Sequence, residues 1–94
     1  MRIRYVGTDG RTRIAEVLRV KFMQDGWTAR DKRHEVGEDI TGPIIVVHQI
    51  NAKGGKRLIL PVSDGFDMAA AKIHLLEKGW LDLSCCQVKF ESFY

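Results

Sequence analysis

No apolar run in the sequence is long enough to cross a membrane. A span needs about 18 residues, and Ile44-Ile45-Val46-Val47 is only strand length. Proline is scarce, with two residues in all, and cysteine is equally so. The two cysteines are neighbours, Cys85 and Cys86. Neighbours cannot staple distant segments, and a bridge between them is strained. Both are therefore expected to be free thiols, as in a reducing cytosol. The start, Met1-Arg2-Ile3-Arg4, lacks the apolar stretch of a secretory signal. These absences lead to the expectation of a soluble, cytoplasmic chain with no membrane partner.

Motifs that carry chemistry are missing as well. His34, His48 and His74 share no metal-ligand spacing. His48 is in step with Ile44, Val46 and Ile50, and if that face is buried it is a hydrogen-bonded core histidine. Cys85 and Cys86 lack the two intervening residues of a redox pair, and no base stands near to activate a thiol. Strand alternation puts Cys86 inside and Cys85 outside. Ser63-Asp64-Gly65-Phe66-Asp67 has too few ligands for a cation and reads as a helix start. Asn51-Ala52-Lys53-Gly54-Gly55-Lys56-Arg57 lacks the spacing of a phosphate loop and joins two strands, so it is a basic hairpin tip. No catalytic residue, metal or cofactor is expected.

What is present suffices for a core. Of 94 residues, 45% are hydrophobic and 29% charged, which suits a single folded domain over residues 1–94 without metal or disulfide. The net charge of +3 is unevenly spread. Residues 1–33 hold nine Arg or Lys against four Asp or Glu, a net +5; residues 34–94 hold six against eight, a net −2. A basic excess confined to the first third hints at an anionic partner without identifying one.

Arg2-Ile3-Arg4-Tyr5-Val6 alternates as a half-buried strand does, and Thr8-Asp9-Gly10 ends it. Residues 11–25 admit two readings. As a helix, Ile14, Ala15, Val17, Leu18 and Phe22 share a face. As strands, Leu18, Val20 and Phe22 alternate with Arg19 and Lys21, and Asp25-Gly26 makes a hairpin turn. The helix is preferred because Phe22-Met23-Gln24-Asp25-Gly26-Trp27 has the shape of Leu75-Leu76-Glu77-Lys78-Gly79-Trp80, a helix stop with Gly in the left-handed position. Trp27-Thr28-Ala29-Arg30-Asp31-Lys32-Arg33-His34 reads as an exposed strand, residues 37–42 as a loop, and residues 44–50 as the central strand. Residues 57–62 return from the hairpin. Ser63 or Asp64 caps a second helix, with Asp67 in its first turn. Its core face is Met68, Ala69, Ile73, Leu75 and Leu76. A last strand covers residues 85–93, with Cys86, Val88 and Phe90 on one face. The expected fold is α+β: a small antiparallel sheet of four to five strands with two helices packed on it, in the order β-α-β-β-β-α-β.

The arginines and lysines give the clearest functional signal. Arg2 and Arg4 share a face of the first strand; Arg11 and Arg13 open the next segment; Arg30, Lys32 and Arg33 follow; Lys53, Lys56 and Arg57 mark the hairpin. Arginine is favoured over lysine in this set, which suits phosphate or carboxylate forks. From the first helix on, the order α-β-β-β-α is similar to that of double-stranded-RNA-binding domains. That family opens its second helix with a basic cluster, where this chain has Asp64-Gly65-Phe66-Asp67. The functional expectation is a non-enzymatic small binding protein. It is read as a protein-interaction factor (adaptor, inhibitor or homo-oligomer) whose partner is another protein or itself. The alternative is a nucleic-acid-binding module contacting DNA or RNA phosphates through the N-terminal and hairpin basic residues.

Overall fold

Period-two alternation carries most of this chain into strands. In the computed structural model, which describes residues 1–26, 40–51 and 54–93, β1 (Arg2–Val6), β2 (Thr12–Glu16), β3 (Arg19–Met23), β4 (Ile44–Asn51) and β5 (Gly54–Pro61) precede one helix, α1 (Met68–Lys78). The strands β6 (Trp80–Gln87) and β7 (Phe90–Phe93) follow it. They form a three-stranded sheet, β2-β1-β6, and a four-stranded sheet, β3-β4-β5-β7. Strand β1 is antiparallel to β2 and parallel to β6, while the larger sheet is antiparallel throughout.

Both edges of the small sheet run on into the large one. Between β2 and β3 the Val17 N–H donates to Met1 O at 2.8 Å and the Leu18 N–H to His48 O at 2.9 Å. Between β6 and β7 the Val88 N–H donates to Val6 O and the Lys89 N–H to Ile59 O, both at 2.8 Å. Strands that switch sheets at a bend are how two crossed sheets share corners. One core therefore lies between them: Ile3 and Tyr5 from β1, Leu81 and Leu83 from β6, Ile45 and Val47 from β4, and Leu58 and Leu60 from β5, with Ala71 and Leu75 of α1 packed on it. Ile44, Val46 and Ile59 form a second cluster on the far face of the large sheet, with Met23, Ile40 and Phe90 against it.

This architecture overturns the expected α+β fold with two helices packed on one sheet. The chain is mostly strand, with one helix and two sheets among the described residues. Residues 11–25 are β2 and β3, not helix. The reason lies in the bend. Ala15, Val17, Val20 and Phe22 face the shared core, so the inward spacing is two, then three across Val17-Leu18, then two. A phase slip in a bent strand imitates helical spacing. Ile14 and Leu18, expected on the buried helix face, are 70% and 58% exposed. With no first helix the α-β-β-β-α order does not form, and the likeness to double-stranded-RNA-binding domains goes with it. The same 2-3-2 spacing recurs at Leu81, Leu83, Cys86 and Val88, where the β1–β6 register shifts between Tyr5 and Val6 as at a bulge. Phe90, expected to share their face, packs instead on the cluster of Ile44, Val46 and Ile59. The strand expected at Trp27–His34 lies outside the described residues.

Helix α1 forms where the alanines and leucines predict one, but its cap is Asp67 rather than Ser63 or Asp64. The Asp67 backbone is extended, and its Oδ1 accepts the Ala70 N–H at 2.9 Å. Asp67→Ala should cost about 1 kcal/mol, read from urea unfolding. An unchanged midpoint would place the cap elsewhere. Gly79 ends the helix in the left-handed region, φ 76, with its N–H donating to Leu75 O. The buried face is Met68, Ala71 and Leu75, while Ala69, Ile73 and Leu76 point outward.

Candidate binding surface

Pairing fixes which side chains share the outer face of the small sheet. Ile3 and Tyr5 turn inward, so Arg2 and Arg4 turn outward from the central strand. Arg2 stands between Glu16 of β2 and Trp80 of β6, and Arg4 between Ile14 and Asp82. The result is a grid of two rows by three strands. Arginines occupy its middle, apolar side chains one diagonal, and carboxylates the other. Arg2, Arg4, Ile14, Trp80 and Asp82 line a groove of about 570 Å³ with Lys78 and Gly79 from the end of α1. Ile14 and Trp80 are 70% and 49% exposed, and Trp80 is steadied by the His74 ring, edge to face with centroids 4.7 Å apart.

The two arginine ion pairs on this face are loose. Arg2 Nε lies 3.7 Å from Glu16 Oε1, and an Arg4 guanidinium nitrogen lies 3.9 Å from Asp82 Oδ2. Both carboxyls sit below their ordinary range. Glu16 is held there first by the amino group of Met1, which donates to it at 3.0 Å. Asp82 is held there first by hydrogen bonds from Ser84, whose backbone N–H donates at 2.9 Å, and less by Arg4.

The ten basic residues picked from the sequence do not make one surface. Arg2 and Arg4 centre the groove. Arg13 turns elsewhere: its guanidinium donates to Asp9 Oδ2 at 2.7 Å, and with Lys56 it lines a recess of about 330 Å³. Asp9 is kept ionised first by the Arg11 N–H and then by Arg13. Lys56 pairs with Glu91 at 3.2 Å. Arg11 is exposed just before β2. Arg57 belongs to the outer face of the large sheet, in one cross-strand row with His48 and Arg19. Arg30, Lys32, Arg33 and Lys53 lie outside the described residues. The sequence reading missed Trp80, Ile14, Asp82, Glu16 and Lys78 as members of a surface. For Trp80 and Asp82 the signal was present, since Trp80-Leu81-Asp82-Leu83 alternates out and in.

His48 is not an ordinary core histidine. It is half-buried on the outer face of the large sheet. Burial lowers its pKa first, and then the positive charges of Arg19, Arg57 and Lys21. With the folded pKa below the unfolded value, acid protonates the unfolded chain first. His48 should therefore leave stability intact above about pH 6.5 and reduce it as the pH falls below that value. Melting temperatures between about pH 7.5 and 5 should fall further for the parent chain than for His48→Gln; parallel curves would refute the assignment.

Cys86 is buried and Cys85 exposed, with the Sγ atoms 3.4 Å apart. Burial, and then the Cys85 thiol, push the Cys86 thiol up to about 12, so it stays protonated at neutral pH. Among the described residues no group of His, Cys, Asp and Glu could hold a metal ion, and no helix is long and apolar enough to cross a membrane. No family model, curated protein or solved structure matches the chain.

Proposed function

We propose that the chain is a non-enzymatic protein-interaction domain, docking a protein partner on the outer face of its three-stranded sheet. One observation carries this reading: Ile14 and Trp80 stand exposed on either side of two arginines. Tryptophan and arginine are enriched at the centres of interfaces relative to open surface, and Ile14 adds exposed apolar area beside them. Glu16 and Asp82, held ionised in the same grid, oppose a run of phosphates but suit the mixed charge of a protein rim. The free thiols suit a cytoplasmic setting.

The nucleic-acid reading draws on a different feature, the Arg19–His48–Arg57 row. One experiment separates the two. The tagged chain and an Ile14→Ser, Trp80→Ser double variant are used as baits in a nuclease-treated extract. A partner held by the parent and released by the variant is expected. Retention only before nuclease treatment, or equal retention by both baits, would reject the proposal.

A further inference from the structure

The spacing of the grid describes what it can hold. Neighbouring strands lie about 4.8 Å apart, and alternate residues along a strand about 6.8 Å apart, so the Trp80–Ile14 diagonal measures about 12 Å. An extended peptide puts every second side chain on one face, and side chains four residues apart span about 13 Å. A segment laid along that diagonal therefore sets its first and fifth side chains on Trp80 and Ile14. Its third side chain falls between them, over Arg2 and Arg4. The charge there is positive: Arg2, Arg4 and Lys78 line the groove against Asp82, and Glu16, beside Arg2, is matched by the Met1 amino group at 3.0 Å. The exposed pairs at 3.7 and 3.9 Å are weak, and they leave guanidinium N–H groups to receive an incoming carboxylate, the geometry in which arginine binds best.

Building on the protein-interaction reading, we infer that this face binds an extended acidic segment in which one carboxylate is flanked, two residues away on each side, by a large apolar side chain. The carboxylate bridges Arg2 and Arg4. The apolar side chains cover Trp80 and Ile14 and exclude water from the charged pair, which strengthens it.

The test uses the full chain, 15N-labelled, and a capped heptapeptide of serine, leucine, serine, glutamate, serine, leucine and serine. Amide shifts should saturate and centre on Arg2, Arg4, Ile14, Trp80 and Asp82. A peptide with glutamine for glutamate should bind at least about fivefold more weakly, because a charge-assisted bond is lost. Trp80→Ala should lose a similar factor. Arg4→Gln should do the same without removing a packed ring, and its spectrum reports whether the fold is kept. Absence of saturable shifts up to about 2 mM peptide, equal binding of the glutamine peptide, or shifts at these amides with a thymidine decamer in place of the peptide would each overturn the inference. If the glutamine peptide binds equally while Ile14 and Trp80 still govern partner capture, the acidic motif fails and the interaction reading stands. If partner capture is lost to neither substitution, the reading beneath it fails too.

Discussion

Replacing Gly26 by alanine should destabilise the chain by at least about 2 kcal/mol. Two effects add. Gly26 has φ +93, a region side-chain-bearing residues rarely adopt. An added Cβ would also run into the carbonyl oxygen of Ile40 and lie 3.1 Å from that of Gly42. Both obstacles are backbone, and Ile40 packs on the buried cluster beneath it, so neither yields as a flexible side chain would. Gly10 separates the two effects. It has φ +79 but nothing within 4 Å of its added Cβ, so Gly10→Ala should cost only about 1 kcal/mol. Urea unfolding of the two variants side by side gives the comparison. Equal losses would mean that the approach of Ile40 imposes nothing beyond backbone strain. The sequence expectation put a helix end at Gly26. The positive φ is there, but it serves a close passage of two chain segments.

That difference shows what could and could not be read from the residues. Strands with one register and no bend were legible. β1 follows its alternation, and β4, whose Ile44, Ile45, Val46 and Val47 are all buried, lies between two neighbours as its apolar run implies. Bent strands were not. The inward set Ala15, Val17, Val20, Phe22 keeps period two on each side of Val17-Leu18 and slips by one residue at the corner. Nothing local distinguishes that slip from helical spacing, because what decides it is the second sheet waiting across the bend, a long-range fact. The surface suffered the same way. Arg2 and Arg4 could be placed on one face of β1 from their own alternation. Their flanking partners depend on register with β2 and β6, and β6 lies more than seventy residues along the chain. A helix over residues 11–25 places Ile14 on a buried face and so hides its position beside Arg4.

Two adjacent leucines test the corrected helix most directly. Leu75→Ala should cost about 2–5 kcal/mol, the loss expected for a buried leucine whose site cannot fully collapse. Leu76→Ala should change stability by no more than about 0.5 kcal/mol. Alanine is at least as good a helix former as leucine, so propensity does not blur the comparison. The contrast follows from rotation about the helix axis. Leu75 is 5% exposed and belongs with Ala71 to the shared core, whereas Leu76 is 75% exposed. A helix lying on a single sheet with Ala69, Ile73, Leu75 and Leu76 buried would make the two substitutions comparably damaging. Chemical denaturation of both variants, with Ile73→Ala (56% exposed) as a third, therefore decides between the arrangements. Losses of similar size at Leu75 and Leu76 would mean that the outward stripe of α1 is covered in solution, and the burial assigned to this helix would have to be redrawn.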